Sequence, residues 1–237
     1  NYLPFEALQN ENKKYLVEQF SVQYNYSTTL LGKDVARVKS PTILAFAPFA
    51  SKSYTDSTGY SLSNLPASKE EVSTLRGKIL LDTSATKNNF LAFANHYNII
   101  HLATHAGANN KEPSRSFISF HPSTEDYKLF TQEIYNLQLD STYLVILSAC
   151  ETGTGRLIKG EGLMSLSRAF AYAGCPNIIT SLWRAEDKTT AFLIKRLYTY
   201  MDKGYSNDKA LQQAKIDLLA SDKIAPRSKT PDHWAHL

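Results

Sequence analysis

An α/β fold with a mainly parallel central sheet flanked by helices is predicted by three observations. Short β-rich apolar runs alternate with longer amphipathic ones, the order expected of β-α-β units. The run Tyr143–Leu147 is apolar without alternation, which suits a strand covered on both faces. The chain has 237 residues, 43% of them hydrophobic, enough for one sizeable core.

The elements follow in order. A strand is expected over Thr42–Ala47, then a loop over Ala50–Leu65, which is rich in Ser, Thr and Tyr with few aliphatics. Ser68-Lys-Glu-Glu-Val reads as a helix start, with Ser68 as N-cap and acids in the first turn. A strand at Lys78–Leu81 precedes a helix at Lys87–Asn95 that turns Phe90, Leu91 and Phe93 toward a core. Ile99–Ala103 is a third strand. Phe117–Phe120 and Tyr127–Phe130 read as a small inserted hairpin, and Tyr143–Leu147 as the next strand. A helix at Gly162–Tyr172 carries Leu163, Leu166, Ala169 and Phe170 at helical spacing and stops at Gly174. The strand Asn177–Leu182 is followed by helices at Asp187–Asp202 and Asn207–Ala220, and then a loop at Arg227–Pro231. Trp234–Leu237 reads as the first half of a strand. With no initiator Met, residues 1–237 are expected to form a single domain, a fragment of a longer chain whose final strand is incomplete.

Composition excludes several classes. No apolar run approaches the ~20 residues of a membrane span. Asn1-Tyr-Leu-Pro-Phe-Glu lacks the basic-then-apolar pattern of a signal peptide. The net charge of +4 is spread along the chain, and a dispersed excess is weak evidence for nucleic acid. Cys150 and Cys175 are the two cysteines, far fewer than a secreted disulfide scaffold carries, so a reducing cytoplasm is the expected compartment. There is no internal repeat.

The candidate site rests on two strand ends. In Tyr143-Leu-Val-Ile-Leu-Ser-Ala-Cys150-Glu-Thr-Gly-Thr-Gly, an apolar strand ends in small residues, a cysteine and glycines. Open parallel sheets put reactive groups outside the carboxyl ends of their strands. Gly153 and Gly155 would let a substrate backbone approach closely. Alone, Cys150 divides evenly between nucleophile and buried structural thiol. Asn98-Ile-Ile-His-Leu-Ala-Thr-His105-Ala-Gly107 breaks the tie, because it is a second strand running into a polar end at His105. A free thiol has a pKa of ~8.5, so a neighbouring imidazole is the standard way to activate it.

Other residues are weighed against blander readings. His101 and His105 form an H-x-x-x-H pair, but in an apolar strand without the adjacent Glu of a zinc helix; no metal and no cofactor is expected. His101 is read as a packed or hydrogen-bonded histidine beneath the site. The glycine-rich stretch Gly153–Gly162 lacks the phosphate-loop pattern and is read as a gating loop beside the nucleophile. Trp183 is read as core, or as part of a substrate pocket. Asp187 either caps its helix or pairs with a basic substrate side chain.

Taken together, "HLATHAG", "LVILSACETGTG", "GEGLMSLSRAFAYAGCPNIITSLWRAEDKTTAFLI" and the "AL..AK" of the last long helix resemble the CHAT domain, a caspase-like module often linked to TPR repeats. "LPFEAL" and "LPASKEEV" fit as well. His105 stands ~45 residues before Cys150, in the order of caspases, whose His lies about 50 residues upstream. The resemblance implies a caspase-like three-layer fold and a cysteine endopeptidase with Cys150 as nucleophile and His105 as base. It implies an oxyanion hole from backbone N–H groups at Gly107 and Cys150. Trp183 and Asp187 match the Trp-x-x-x-Asp of separases, which implies a pocket for Arg or Lys; Glu151, beside the nucleophile, is grouped with them as substrate-binding. Ala106 follows His105 where the family more often has Gly. The implied partners are a protein substrate and a regulatory TPR region or activating partner, and bacterial relatives suggest a role in defence. Two alternatives stay open: a catalytically silent interaction module, and another cysteine-nucleophile hydrolase or amidotransferase. The latter usually carry their nucleophile on a tight strand-to-helix elbow.

Overall fold

The computed structural model describes residues 3–24, 38, 40–109, 111–151, 161–181, 183 and 187–237, with the backbone alone at 149–151, 161–164 and 187. Two compact units emerge: Arg37–Arg184, and Tyr2–Ala36 together with Ala185–Leu237.

The first unit is built on a parallel sheet. Its strands are β1 (Ile43–Ala47), β4 (Gly77–Leu81), β5 (Ile99–Gly107), β8 (Leu144–Glu151) and β9 (Asn177–Thr180), side by side in the order β4-β1-β5-β8-β9. All four of these pairings are parallel. Every residue of β1 is buried, as is β5 up to its last residue. Continuous apolar runs are what a strand with both faces covered requires.

Among the described residues of this unit, helices pack on both faces of the sheet. Leu44, Phe46, Ile100, Leu102, Val145 and Leu147 pack against residues of α2 (Lys87–Phe93), α3 (Thr131–Tyr135) and α4 (Glu161–Tyr172). The alternate residues Ala45, Ala47 and Ala103 pack against Val72 of α1 (Pro66–Ser73). The period of two thus sorts the sheet into two packed layers, giving three layers in all. On the α1 face His101 is fully buried, and its Nε2 lies 2.6 Å from Glu71 Oε1. The hydrogen-bonded histidine expected beneath the site is there.

Two hairpins complete the unit. β6 (Phe117–Ser119) and β7 (Lys128–Phe130) pair antiparallel as expected, and β6 joins β5 at Ala106↔Ile118 and Gly107↔Phe117. It takes over the edge of β5 beyond Leu102, where pairing with β1 stops. The segment expected to be a plain loop holds a second hairpin, β2 (Tyr54–Thr55) with β3 (Ser61–Leu62). Its turn is set by Asp56, whose Oδ1 accepts the backbone N–H groups of Thr58 and Tyr60, each at 2.9 Å.

Several boundaries differ from expectation. α1 opens at Pro66, so Ser68 lies inside the helix and its hydroxyl bonds back to the Leu65 carbonyl at 2.6 Å. Proline suits that first position because its missing N–H would have no helical partner. Leu91 of α2 is 44% exposed and does not reach the core. α4 ends at Tyr172, and the turn that closes it holds Gly174 as expected, whose φ of +111° is in the left-handed region, with Cys175 N–H bonded back to the Phe170 carbonyl.

In the second unit, α5 (Asp187–Asp202) and α6 (Asn207–Ala220) pack together and match their expected spans. The C-terminal residues are a correction. Trp234 closes the short helix α7 (Pro231–Trp234) where the start of a strand was expected. Its indole N–H donates to the Lys229 carbonyl at 3.0 Å, and its ring packs edge-on against Tyr15.

Candidate active site at the ends of β5 and β8

The order of the sheet selects its own crevice. From β1 the chain moves outward to β4, then returns across β1 to β5 and continues to β8 and β9. Strand order therefore reverses between β1 and β5, and ligands of open α/β sheets bind outside the carboxyl ends at such a point. Phe49, just beyond β1, lies there against His105, with ring centroids 4.9 Å apart.

His105 and Cys150 are register partners across β5 and β8, followed by Ala106 and Glu151. Neighbouring strands run about 4.8 Å apart. The two backbones therefore meet at the carboxyl ends of adjacent parallel strands. Both strands outrun their expected ends. His105 lies near the carboxyl end of β5, as expected, and is 1% exposed.

The surroundings of His105 decide which nitrogen can act. Nε2 lies 2.6 Å from the Ser63 carbonyl oxygen. A carbonyl only accepts, so Nε2 carries the hydrogen, and Nδ1 is the nitrogen whose lone pair takes a proton in the neutral ring. Ser63 immediately follows β3, so the β2–β3 hairpin delivers this acceptor. Leu62, the residue before Ser63, is buried in an apolar cluster with Phe49 and Tyr127. The Ser63 carbonyl was invisible to sequence reasoning because it is a backbone group with no side-chain signature. The hairpin carrying it was signalled by Asp56 and Gly59, both turn residues.

Gly107 ends β5 opposite Phe117. A Cβ at Gly107 would lie 2.5 Å from the Phe117 ring, so the absence of a side chain is what admits the aromatic. The two cysteines separate clearly. Cys175 is a free, fully buried thiol that donates to the Asn177 carbonyl at 3.2 Å. Burial pushes its pKa up to about 12, which suppresses the thiolate. It is a core residue.

The remaining expected site residues are only partly described. Glu151 is the last residue of β8, and its side chain, like that of Cys150, lies outside the described residues. Residues 152–160, which hold most of the expected gating loop, lie outside them too. Trp183 stands in a bend beyond β9 and is half-buried. Asp187 is the first residue of α5, in the second unit, with its side chain likewise outside the described residues. Among the described residues no helix is long and apolar enough to cross a membrane.

Comparisons with known proteins place this arrangement in a family. Mouse tetratricopeptide repeat protein 28 is 26% identical over 212 residues, which cover 72% of this chain and 8% of that protein. The solved complex of Porphyromonas gingivalis RgpB pro- and mature domains superposes with a TM-score of 0.49 at 12% identity, covering 81% of this chain and 46% of that one. The CHAT domain family model matches residues 1–237, and the chain belongs to the CHAT domain family.

Proposed function

We propose that this chain is a cysteine endopeptidase in which Cys150 attacks the scissile carbonyl and His105 is the general base. One observation carries the reading: His105 and Cys150 are cross-strand partners at the carboxyl ends of two adjacent parallel strands. Membership of a caspase-like family supports it. In the proposed reaction His105 Nδ1 takes the thiol proton and the thiolate adds to the carbonyl carbon. Backbone N–H groups at Gly107 and Cys150 hold the oxyanion. The intermediate then collapses, breaking the peptide bond, and the amine leaves with the proton from His105. Water hydrolyses the thioester and frees Cys150.

The Ser63 carbonyl supports this assignment of roles, since it keeps hydrogen on Nε2 and so reserves Nδ1 for the proton transfer. Selection of Arg or Lys by Asp187, with Trp183 and Glu151 as further substrate-binding residues, is proposed from the match of Trp183 and Asp187 to the Trp-x-x-x-Asp of separases. Control by an upstream TPR region or a partner is part of the proposal, supported by the mouse relative's name and by how little of that protein the match covers. A reducing compartment such as the cytoplasm suits a free thiol.

A peptide-library digest tests the reading. Wild-type protein is expected to cut after Arg or Lys, and Cys150→Ala to lose all cutting while keeping its circular dichroism spectrum. Retained cutting in that variant overturns the assignment. An electrophilic peptide is expected to label Cys150 and spare Cys175. An intact chain that neither cuts nor labels would instead be an interaction module.

A further inference from the structure

Lys128 sits in an unusual setting for a lysine, between a carboxylate and aromatic rings. Its Nζ lies 3.2 Å from Asp56 Oδ2 and over three rings, 4.6 Å from the centre of Tyr60, 4.9 Å from Tyr127 and 5.2 Å from Phe117. An ammonium over aromatic faces is held by their quadrupoles. The Lys128 backbone is fixed as well, because its carbonyl accepts from buried Lys87 Nζ at 3.0 Å. Lys87 in turn pairs with Asp126 at 2.6 Å and Glu133 at 2.7 Å. Lys128 is therefore a fixed post on β7.

Asp56 joins that post to the β2–β3 hairpin. Its Oδ1 closes the hairpin turn, and its Oδ2 accepts both Lys128 and the Tyr127 hydroxyl, the latter at 2.6 Å. Hydrogen bonds from the Thr58 hydroxyl and from Tyr127 hold the Asp56 carboxyl well below the usual carboxylate range, so it is ionised at any working pH. A ribbon of two residues per strand is marginal without such anchors. The hairpin leads directly into Ser63, whose carbonyl accepts from His105 Nε2. Phe117, the third ring around Lys128, covers Gly107.

We propose that Asp56, Tyr127 and Lys128 form a positioning cluster that holds the β2–β3 hairpin so that the Ser63 carbonyl fixes the tautomer of His105. The cluster touches no reacting atom. It acts through the hairpin: loosening the hairpin withdraws the acceptor from Nε2–H, the neutral ring populates both tautomers, and a smaller fraction presents Nδ1 as base. Its catalytic consequence rests on the peptidase reading above, whereas its effect on the imidazole does not.

The test uses the full chain with 15N-labelled histidine, read by long-range 1H–15N correlation at His105. Wild type is expected to show the Nε2–H tautomer alone. Tyr127→Phe, which removes one oxygen, and Lys128→Met, which keeps the stem, are each expected to give a mixture. With a peptide substrate, the same variants should lose kcat in proportion to the fraction of the ring that leaves the Nε2–H tautomer, with KM held within about twofold. Lys128→Arg, which keeps the charge and stacks on aromatic rings, should restore both readings. An unchanged tautomer in Tyr127→Phe and Lys128→Met, with only a lower melting temperature, overturns the proposal whether or not the protein cuts peptides. A chain that cuts nothing yet shows the tautomer shift leaves the cluster standing and removes the peptidase reading.

Discussion

His105, the proposed general base, sits at the end of a strand and has very little freedom of movement. It is 1% exposed, packed against Phe49 and bonded through Nε2 to a backbone carbonyl. The acceptor that sets its tautomer is a backbone group, the Ser63 carbonyl, so the tautomer depends on what holds that segment in place. Gly107, two residues on, is held just as closely. Phe117 occupies the space its side chain would take, a cross-strand aromatic-over-glycine arrangement. Gly107→Ala is therefore expected to push the Phe117 ring aside and cost about 1–3 kcal/mol, the usual range for overpacking. Phe117→Leu in the same chain should recover part of that loss by making room. Urea titrations of the two variants check this. An unchanged midpoint for Gly107→Ala would mean that the ring moves freely.

At the scale of elements, the sequence and the structure agree where a pattern is long and diverge where pairing decides. The helices Asp187–Asp202 and Asn207–Ala220 are legible because periodic apolar positions recur over several turns. The strand β5 was legible only to Ala103, because Thr104, His105 and Ala106 carry no apolar run. They join the strand because β8 pairs with them residue by residue and β6 takes the other edge at Ala106. Strand propensity of this kind is set by the partners rather than by the segment. The same explains β2 and β3, which exist by pairing with each other and by tethering through Asp56. Of the candidate site, His105, Cys150 and Gly107 could be read from strand ends and motifs. The Ser63 carbonyl could not, since only tertiary structure brings it near. The contact between α1 and β5 is a further case, joining Glu71 to His101 across two buried surfaces. Glu71→Ala is expected to leave a buried imidazole N–H without its acceptor, at about 1–3 kcal/mol. His101→Phe combined with Glu71→Leu replaces both polar groups by apolar ones and should cost less than Glu71→Ala alone, as read from thermal unfolding.

On the scale of the whole molecule, the second unit is made from both ends of the sequence, and polar groups join them. Lys215 on α6 is buried; its Nζ lies 2.8 Å from Glu6 Oε1 and also donates to the Leu237 carbonyl. Glu6 accepts the Tyr24 hydroxyl at 3.0 Å, and Gln212 of α6 donates to the Val17 carbonyl at 2.8 Å. Burial pushes the Lys215 pKa down, and the charge of Glu6 works against that shift. A buried pair of this kind costs desolvation for both charges, so its net contribution to stability is small while both members remain. Removing one member is different, because the other charge stays buried without compensation. Lys215→Met is expected to destabilise the second unit by about 3–5 kcal/mol, and the double change Lys215→Met with Glu6→Leu to recover most of that loss. Urea unfolding followed by hydrogen exchange at α6 amides separates this unit from the sheet. If the single variant unfolds at the wild-type midpoint, water reaches Glu6 and the pair is not the latch between the two ends. If the double variant is no better than the single one, the loss comes from packing around the lysine stem and not from the stranded carboxylate.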